Sequence, residues 1–116
     1  MIDDYGHCKL IDFGLSVQLI NGGKTYTSCG TTDYIAPEIF KGIGASFESD
    51  VWSLGVLMHE MICGDKPFYH QDPQKEILKI IKCKPTYGNQ LNLEQRILLE
   101  QIFVPDPSFR ISLDLI

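Results

Sequence analysis

The chain has 116 residues and a mass of 13.1 kDa, and its 44% of apolar residues suffices for one small domain with a buried core. Its 10 basic and 15 acidic residues give a formal net charge of −5, so nucleic acid is a poor partner. The four cysteines have no C-x-x-C spacing, and no apolar stretch approaches the roughly 18 residues that a membrane span needs. The first residues carry no signal-peptide pattern. We therefore expect an intracellular, cytoplasmic chain with free thiols and no membrane span.

The N-terminal residues predict a β-hairpin. Asp3-Asp4-Tyr5-Gly6 has turn chemistry, and the run from His7 to Phe13 has apolar residues that suit a strand. A second turn is predicted at Asn21-Gly22-Gly23-Lys24, where two glycines follow an asparagine.

A long helix is predicted from about residue 48 to residue 63. Apolar residues leave it little polar face, so it needs burial on nearly every side. Gly64 follows the last of these residues and provides a helix C-cap.

Capping residues predict two further helices. Asp72 is an N-cap residue followed by Pro73 at the first helical position, which predicts a helix to about Lys82. Asn92 begins another helix, because Gln95 stands at the capping-box position three residues later.

Three short motifs follow one another in a fixed order. Asp12-Phe13-Gly14 precedes Ala36-Pro37-Glu38, and Asp50-x-Trp52-x-x-Gly55 comes next. In this order and spacing they resemble the protein-kinase family, in which the first two motifs flank the activation segment. The intervening residues 27–35 are also similar to an activation segment. Their C-G-T-x-x-Y pattern resembles serine/threonine kinases, closest to the cyclic-nucleotide-dependent, AGC-like and calmodulin-dependent-like kinases.

The resemblance implies an α+β, protein-kinase-like fold that is incomplete. Residues 1–116 correspond to a partial kinase domain, with a short β-hairpin, the D-F-G strand and the activation segment in residues 1–45. The mostly helical C-lobe occupies residues 46–116. These residues contain neither the N-lobe, with its G-x-G-x-x-G loop and V-A-I-K lysine, nor the H-R-D-x-x-x-x-N catalytic loop. Those missing parts are the expected structural partners of this chain.

The resemblance assigns the nucleotide site to Asp12, Phe13 and Gly14. Asp12 is the expected ligand of a magnesium ion that bridges the phosphates of ATP. Thr31 matches the threonine that bonds the catalytic base and lysine in serine/threonine kinases. The alternative for Thr31 is an ordinary turn residue.

The resemblance also places an activating phosphorylation site at Thr27, with Thr25 as the alternative. A phosphate at this place needs basic partners to order the segment. The basic residue that related kinases often carry after D-F-G falls near Val17 and Gln18, which are uncharged. Cys29 beside the site is either a redox-sensitive thiol or a plain small side chain.

Substrate binding is assigned by the resemblance to Tyr34 and Ile35, which shape the substrate-positioning groove, and to Glu60. In basophilic kinases the residue at the Glu60 position contacts an arginine shortly before the phosphoacceptor. The alternative for Glu60 is a solvated helix carboxylate.

Four residues have structural roles in this interpretation. Glu38 and Arg110 resemble the buried ion pair that joins A-P-E to the loop before the last helix. Asp50 anchors the catalytic loop in the family, so here we expect it to be unpaired or solvated. Trp52 belongs to the apolar helix and is expected in the core.

Two functions follow as hypotheses. In the first, the chain is part of a serine/threonine kinase that transfers the γ-phosphate of ATP to protein substrates, and the chain alone is inactive because most catalytic parts are absent. In the second, it is a short non-catalytic product that binds protein partners and competes for kinase substrates.

Overall fold

The computed structural model describes residues 1–26 and 31–116. Within these residues four α-helices follow one another: α1 (Pro37–Phe40), α2 (Phe47–Cys63), α3 (Pro73–Ile81) and α4 (Leu93–Ile102). Three short 3-10 turns accompany them, at Thr32–Tyr34, Pro107–Phe109 and Leu113–Leu115. None of the helices described is long and apolar enough for a membrane span.

The predicted N-terminal hairpin strands do not form in the described residues. Ile2 and Cys8 make a single antiparallel bridge. The ammonium group of Met1 donates to the carbonyl of Lys9 at 2.9 Å, and the Lys9 amide donates back to Met1 at 2.8 Å. The bridge between Ile2 and Cys8 is the one bridge between the two arms of the turn in the described residues. Residues 10–13 of the predicted strand form no bridge there, and Leu10 is 84% exposed.

The core lies around α2. The prediction that this helix is buried on nearly every side is wrong for the described chain, because Leu57 and Met61 are 43% and 65% exposed. Trp52 and Val56 are fully buried. The Trp52 ring stacks on Phe68 at 5.0 Å between centroids and meets the edge of Phe103 at 5.1 Å. Such aromatic pairs add about 0.5–1.5 kcal/mol beyond area burial. The helix ends where predicted, at Gly64, whose φ of 80° is left-handed.

Close contact between α2 and α4 depends on Gly55. A Cβ atom at this position would lie 2.4 Å from Cγ2 of Ile102 and 3.2 Å from Cε1 of Phe103. A side chain at this position would have to displace the side chains of Ile102 and Phe103. The glycine of the D-x-W-x-x-G motif therefore sets the distance between the two helices.

The predicted caps of α3 and α4 are confirmed. The Asp72 carboxylate accepts the amide hydrogen of Gln74 at 2.9 Å, and Pro73 opens α3. At α4 the Asn92 side chain accepts from the Gln95 amide at 2.8 Å, and the Gln95 side chain accepts from the Asn92 amide at 3.0 Å. Each cap satisfies backbone donors that a helix start otherwise leaves free.

Candidate functional site

A cleft of about 590 Å³ separates the D-F-G segment from the start of α2. Most of the residues that the sequence assigned to nucleotide and substrate line this cleft. They are Asp12, Gly14, Thr31, Tyr34 and Ile35, and Asp50, which was assigned a structural role, lines the cleft with them. Phe13 and Glu60 are not among the lining residues, and Phe13 is 64% exposed.

Asp12 has a left-handed backbone, with φ at 63°. Its Oδ1 accepts the amide hydrogen of Gly14 at 3.3 Å, so the side chain stabilises its own turn. Aspartate tolerates this backbone better than most residues because its short polar side chain bonds locally. The turn places a carboxylate at the cleft, as a metal-binding role requires.

Asp50, in the first turn of α2, provides a second carboxylate at the cleft. The residue is exposed as a whole, but partial burial of its carboxyl group raises its pKa above the ordinary value. Its exposure agrees with the expectation of a solvated side chain.

The carboxylates of Asp12 and Asp50 allow a test of the implied magnesium site. Magnesium takes hard oxygen ligands and usually keeps several waters, binding one or two carboxylates together with substrate phosphates. Asp12 fits as one such ligand. In the described ranges no three histidine, cysteine, aspartate or glutamate side chains group closely enough to hold a metal by themselves.

Tyr34 links the cleft to the middle of α2. Its hydroxyl donates a hydrogen bond to the Glu60 carboxylate, and this bond raises the pKa of Tyr34. The hydroxyl of Ser53 donates to the Tyr34 carbonyl at 2.8 Å. Glu60 is thus held by Tyr34 and is not a freely solvated helix carboxylate.

A second contact near Tyr34 was missed by the sequence analysis. Nζ of Lys66 lies 2.6 Å from Oδ2 of Asp33 and 5.4 Å from the centroid of the Tyr34 ring. Asp33 and Lys66 are 33 residues apart. No local sequence pattern predicts a contact between residues so far apart.

Glu38 and Arg110 form a fully buried ion pair. Nη1 and Nη2 of Arg110 donate to the two carboxylate oxygens of Glu38 at 2.8 and 3.0 Å. Ser49 donates to the same carboxylate at 2.8 Å. The guanidinium also lies 5.1 Å from the centroid of the Trp52 ring. This pair ties α1 to the loop that follows α4.

The structure describes only one of the two predicted phosphorylation sites. Thr25 pairs with Ala45 through two backbone hydrogen bonds, at 3.0 and 2.8 Å. Thr27 and Cys29 lie outside the described residues. Thr31 is exposed and precedes the 3-10 turn Thr32–Tyr34.

Comparison with known proteins identifies the family. The protein kinase domain family matches residues 1–116. Protein kinase C delta type from Mus musculus is 42% identical over 114 residues, covering 97% of this chain and 17% of that protein. Ribosomal protein S6 kinase alpha-6 from Danio rerio is 41% identical over 113 residues, covering 97% of this chain and 15% of that protein. The chain therefore spans under a fifth of the relatives' length, and it belongs to the protein kinase domain family.

Proposed function

We propose that this chain is the C-lobe portion of a serine/threonine protein kinase domain. The complete domain transfers the γ-phosphate of ATP to serine or threonine hydroxyls of protein substrates. The observation that carries the proposal is the single cleft lined by Asp12, Thr31 and Tyr34. These residues come from the two motif regions that kinases use for nucleotide and for substrate.

In this function Asp12 holds magnesium, and Phe13 and Gly14 complete the nucleotide-binding turn. The ion supplies positive charge that neutralises the phosphates during transfer. The left-handed turn at Asp12 keeps its carboxylate at the cleft, and the Gly14 amide orients the carboxylate through Oδ1. The protein contributes mainly by positioning, which is the principal requirement of phosphoryl transfer.

The substrate lies along Tyr34 and Ile35, with Glu60 binding a polar or basic side chain of the substrate. Thr31 bonds the catalytic base of the complete domain. Phosphorylation at Thr27, or alternatively Thr25, regulates the segment. Residues 1–45 carry the D-F-G and activation functions, and residues 46–116 form the supporting helices. We place the protein inside the cell, in the cytoplasm.

The 116 residues alone are proposed to be inactive. Their sequence contains no G-x-G-x-x-G loop, no V-A-I-K lysine and no H-R-D-x-x-x-x-N loop. Nucleotide, metal and substrate must be positioned together for transfer, and most of the groups that do so are absent from this sequence.

A non-catalytic binding module is the second candidate. It is favoured by one observation: Tyr34, Glu60 and Lys66 are already connected to one another in this chain. A chain with a preformed groove binds a peptide without any phosphoryl transfer.

A chimaera tests the first candidate. The 116 residues replace the matching stretch of the Mus musculus relative, which supplies the missing N-lobe and catalytic loop. With magnesium and ATP, we expect phosphorylation of serine and threonine peptides and none of a tyrosine peptide. We expect the isolated chain to show no turnover above the blank.

Two matched variants of the chimaera make the test specific. Asp12→Asn removes a metal-binding charge and is expected to lower kcat/KM by at least about 100-fold. Asp4→Asn makes the same change at an exposed turn residue and should leave activity unaltered. A folded chimaera without kinase activity, or ATP turnover by the isolated chain, would contradict the proposal.

A further inference from the structure

Lys66 lies on the loop after α2 and reaches back to the groove residues. Its ammonium contacts Asp33 at 2.6 Å, and the two side chains are only 26% and 19% exposed. The same ammonium lies over the Tyr34 ring. Lys66 therefore has both an anionic and an aromatic partner, the two kinds of group that bind a basic side chain.

The surroundings of Lys66 favour its protonated, positively charged form. The hydrogen bond to Asp33 raises the pKa of Lys66 above its ordinary value, so the side chain stays protonated through neutral pH. Glu60, the other carboxylate of this group, already accepts the Tyr34 hydroxyl. A basic substrate side chain must therefore displace Lys66 from Asp33 or share Glu60 with Tyr34.

We infer that Lys66 is a specificity-determining residue that occupies the groove's position for a basic side chain and lowers the preference for basic substrates. The inference rests on the proposed function, since it concerns the groove formed by Tyr34 and Glu60. It indicates substrates with neutral polar or apolar residues shortly before the phosphoacceptor. An internal cation competes directly with an incoming one for Asp33.

Peptide binding to the 116-residue chain tests this inference. The probes are two fluorescent serine peptides that differ only in carrying arginine or glutamine at the second and third residues before the serine. Their affinities are measured by anisotropy and by NMR titration at low salt. The test variant is Lys66→Met, which keeps an apolar stem over Tyr34 and removes the charge.

The matched control is Lys75→Met, which removes one charge from an exposed position on α3. A partly exposed ion pair such as Lys66–Asp33 contributes up to about 1 kcal/mol. Because Lys66→Met removes the competitor for Asp33, this variant should bind the arginine peptide about five-fold tighter. The affinity for the glutamine peptide should not change. Lys75→Met should match the unaltered chain with both peptides.

Asp33→Asn gives an independent measurement. It removes the carboxylate that Lys66 and the peptide share, so the affinity for the arginine peptide relative to the glutamine peptide should fall, with Glu60 as the remaining carboxylate. Adding Lys66→Met to Asp33→Asn should then have no further effect. Equal affinities of Lys66→Met and Lys75→Met for the arginine peptide, or no detectable binding by either, would overturn the inference. An inactive chimaera with Lys66-dependent peptide selectivity would instead overturn the proposed kinase function.

Discussion

Arg110 and Glu38, 72 residues apart in the sequence, are joined by two charge-assisted hydrogen bonds in a site from which water is excluded. Arg110 also donates to the carbonyls of Glu48 and Val104, at 2.6 and 3.0 Å. One side chain thus connects α1, the start of α2 and the loop after α4. Breaking a buried pair costs more stability than breaking an exposed pair, because the charge that remains is buried without solvent to stabilise it.

Removing the carboxylate of Glu38 should strongly destabilise the fold. We expect Glu38→Gln to lower the free energy of unfolding by about 3–5 kcal/mol, because the Arg110 charge stays buried without a counter-ion. The matched control is Glu100→Gln, which breaks the exposed pair with Arg96 and should cost about 0.3–0.5 kcal/mol. Urea unfolding followed by circular dichroism measures both. Similar losses in the two variants would contradict the role given to the buried pair.

The same pair predicts a dependence of stability on acid. Burial raises the pKa of Glu38, but the hydrogen bonds and charge of Arg110, together with the bonds from other groups, outweigh burial and leave the pKa below its ordinary value of 4.5. A lowered folded-state pKa gives stability that is complete above the unfolded value and is lost as pH falls through the folded value. The free energy of unfolding should therefore decrease as the pH falls below about 4.5.

The Glu38→Gln variant is the control for this acid dependence. It has no group to protonate at that site, so its stability should fall less between pH 5 and pH 3 than that of the unaltered chain. Parallel pH profiles for the two proteins would show that other carboxylates cause the acid loss.

Replacing Gly55 with alanine, a better helix former, should nevertheless lower the stability of the protein. Gly55→Ala gains about 1 kcal/mol of helix propensity but forces a methyl group against Ile102. Overpacking costs about 1–3 kcal/mol, so we expect a net loss of stability of up to about 2 kcal/mol. Thermal unfolding measures it. In an Ile102→Ala background the same change should be much less harmful, because the obstructing methyl is gone. A stabilised Gly55→Ala protein would show that α4 moves away freely.

Cys83 should be unreactive in the folded chain. Its thiol donates to the carbonyl of Phe103 at 2.7 Å, and burial raises its pKa to about 11. At pH 8 only about one Cys83 side chain in a thousand is then a thiolate, the form that reacts with iodoacetamide. Mass-spectrometric mapping should show rapid labelling of exposed Cys8 and slow labelling of Cys83 until urea unfolds the chain. Equal labelling of both in native buffer would contradict this environment.

The capping box of α4 supports a small but specific prediction. Asn92→Ala removes the acceptor for the Gln95 amide and should cost about 1 kcal/mol of stability. Asn89→Ala, made at an exposed residue just before the helix, should change stability by less than about 0.5 kcal/mol. Differential scanning calorimetry separates the two. A cost at Asn89 equal to that at Asn92 would argue against the cap.

Local signals explain why α2, α3 and α4 were predictable, whereas α1 was not predicted. Asp72 and Asn92 act on amides two or three residues away, so their effect is contained in the sequence around them. Gly64 likewise ends α2 through its own backbone conformation. The predicted hairpin strands depend instead on pairing with a partner segment, and the described residues of the hairpin hold the single bridge between Ile2 and Cys8.

Residues of the candidate site could be predicted only where they belong to a recognisable motif. Asp12, Thr31 and Tyr34 were assigned by resemblance, and they line one cleft. The contact between Asp33 and Lys66 has no motif, because it forms only when the loop after α2 folds back on the 3-10 turn. Long-range pairs of this kind require the three-dimensional structure.

The left-handed turn at Asp12 narrows the substitutions that evolution can accept at this position. Glycine would adopt the backbone but offers no oxygen ligand, while glutamate offers a ligand on a longer stem and tolerates the backbone poorly. Asparagine can adopt the left-handed backbone, but its side chain is neutral and lacks the negative charge of a carboxylate ligand. Aspartate alone meets both the conformational requirement and the requirement of the proposed magnesium role, so change at this residue should accompany loss of the proposed catalysis in any lineage that retains the fold.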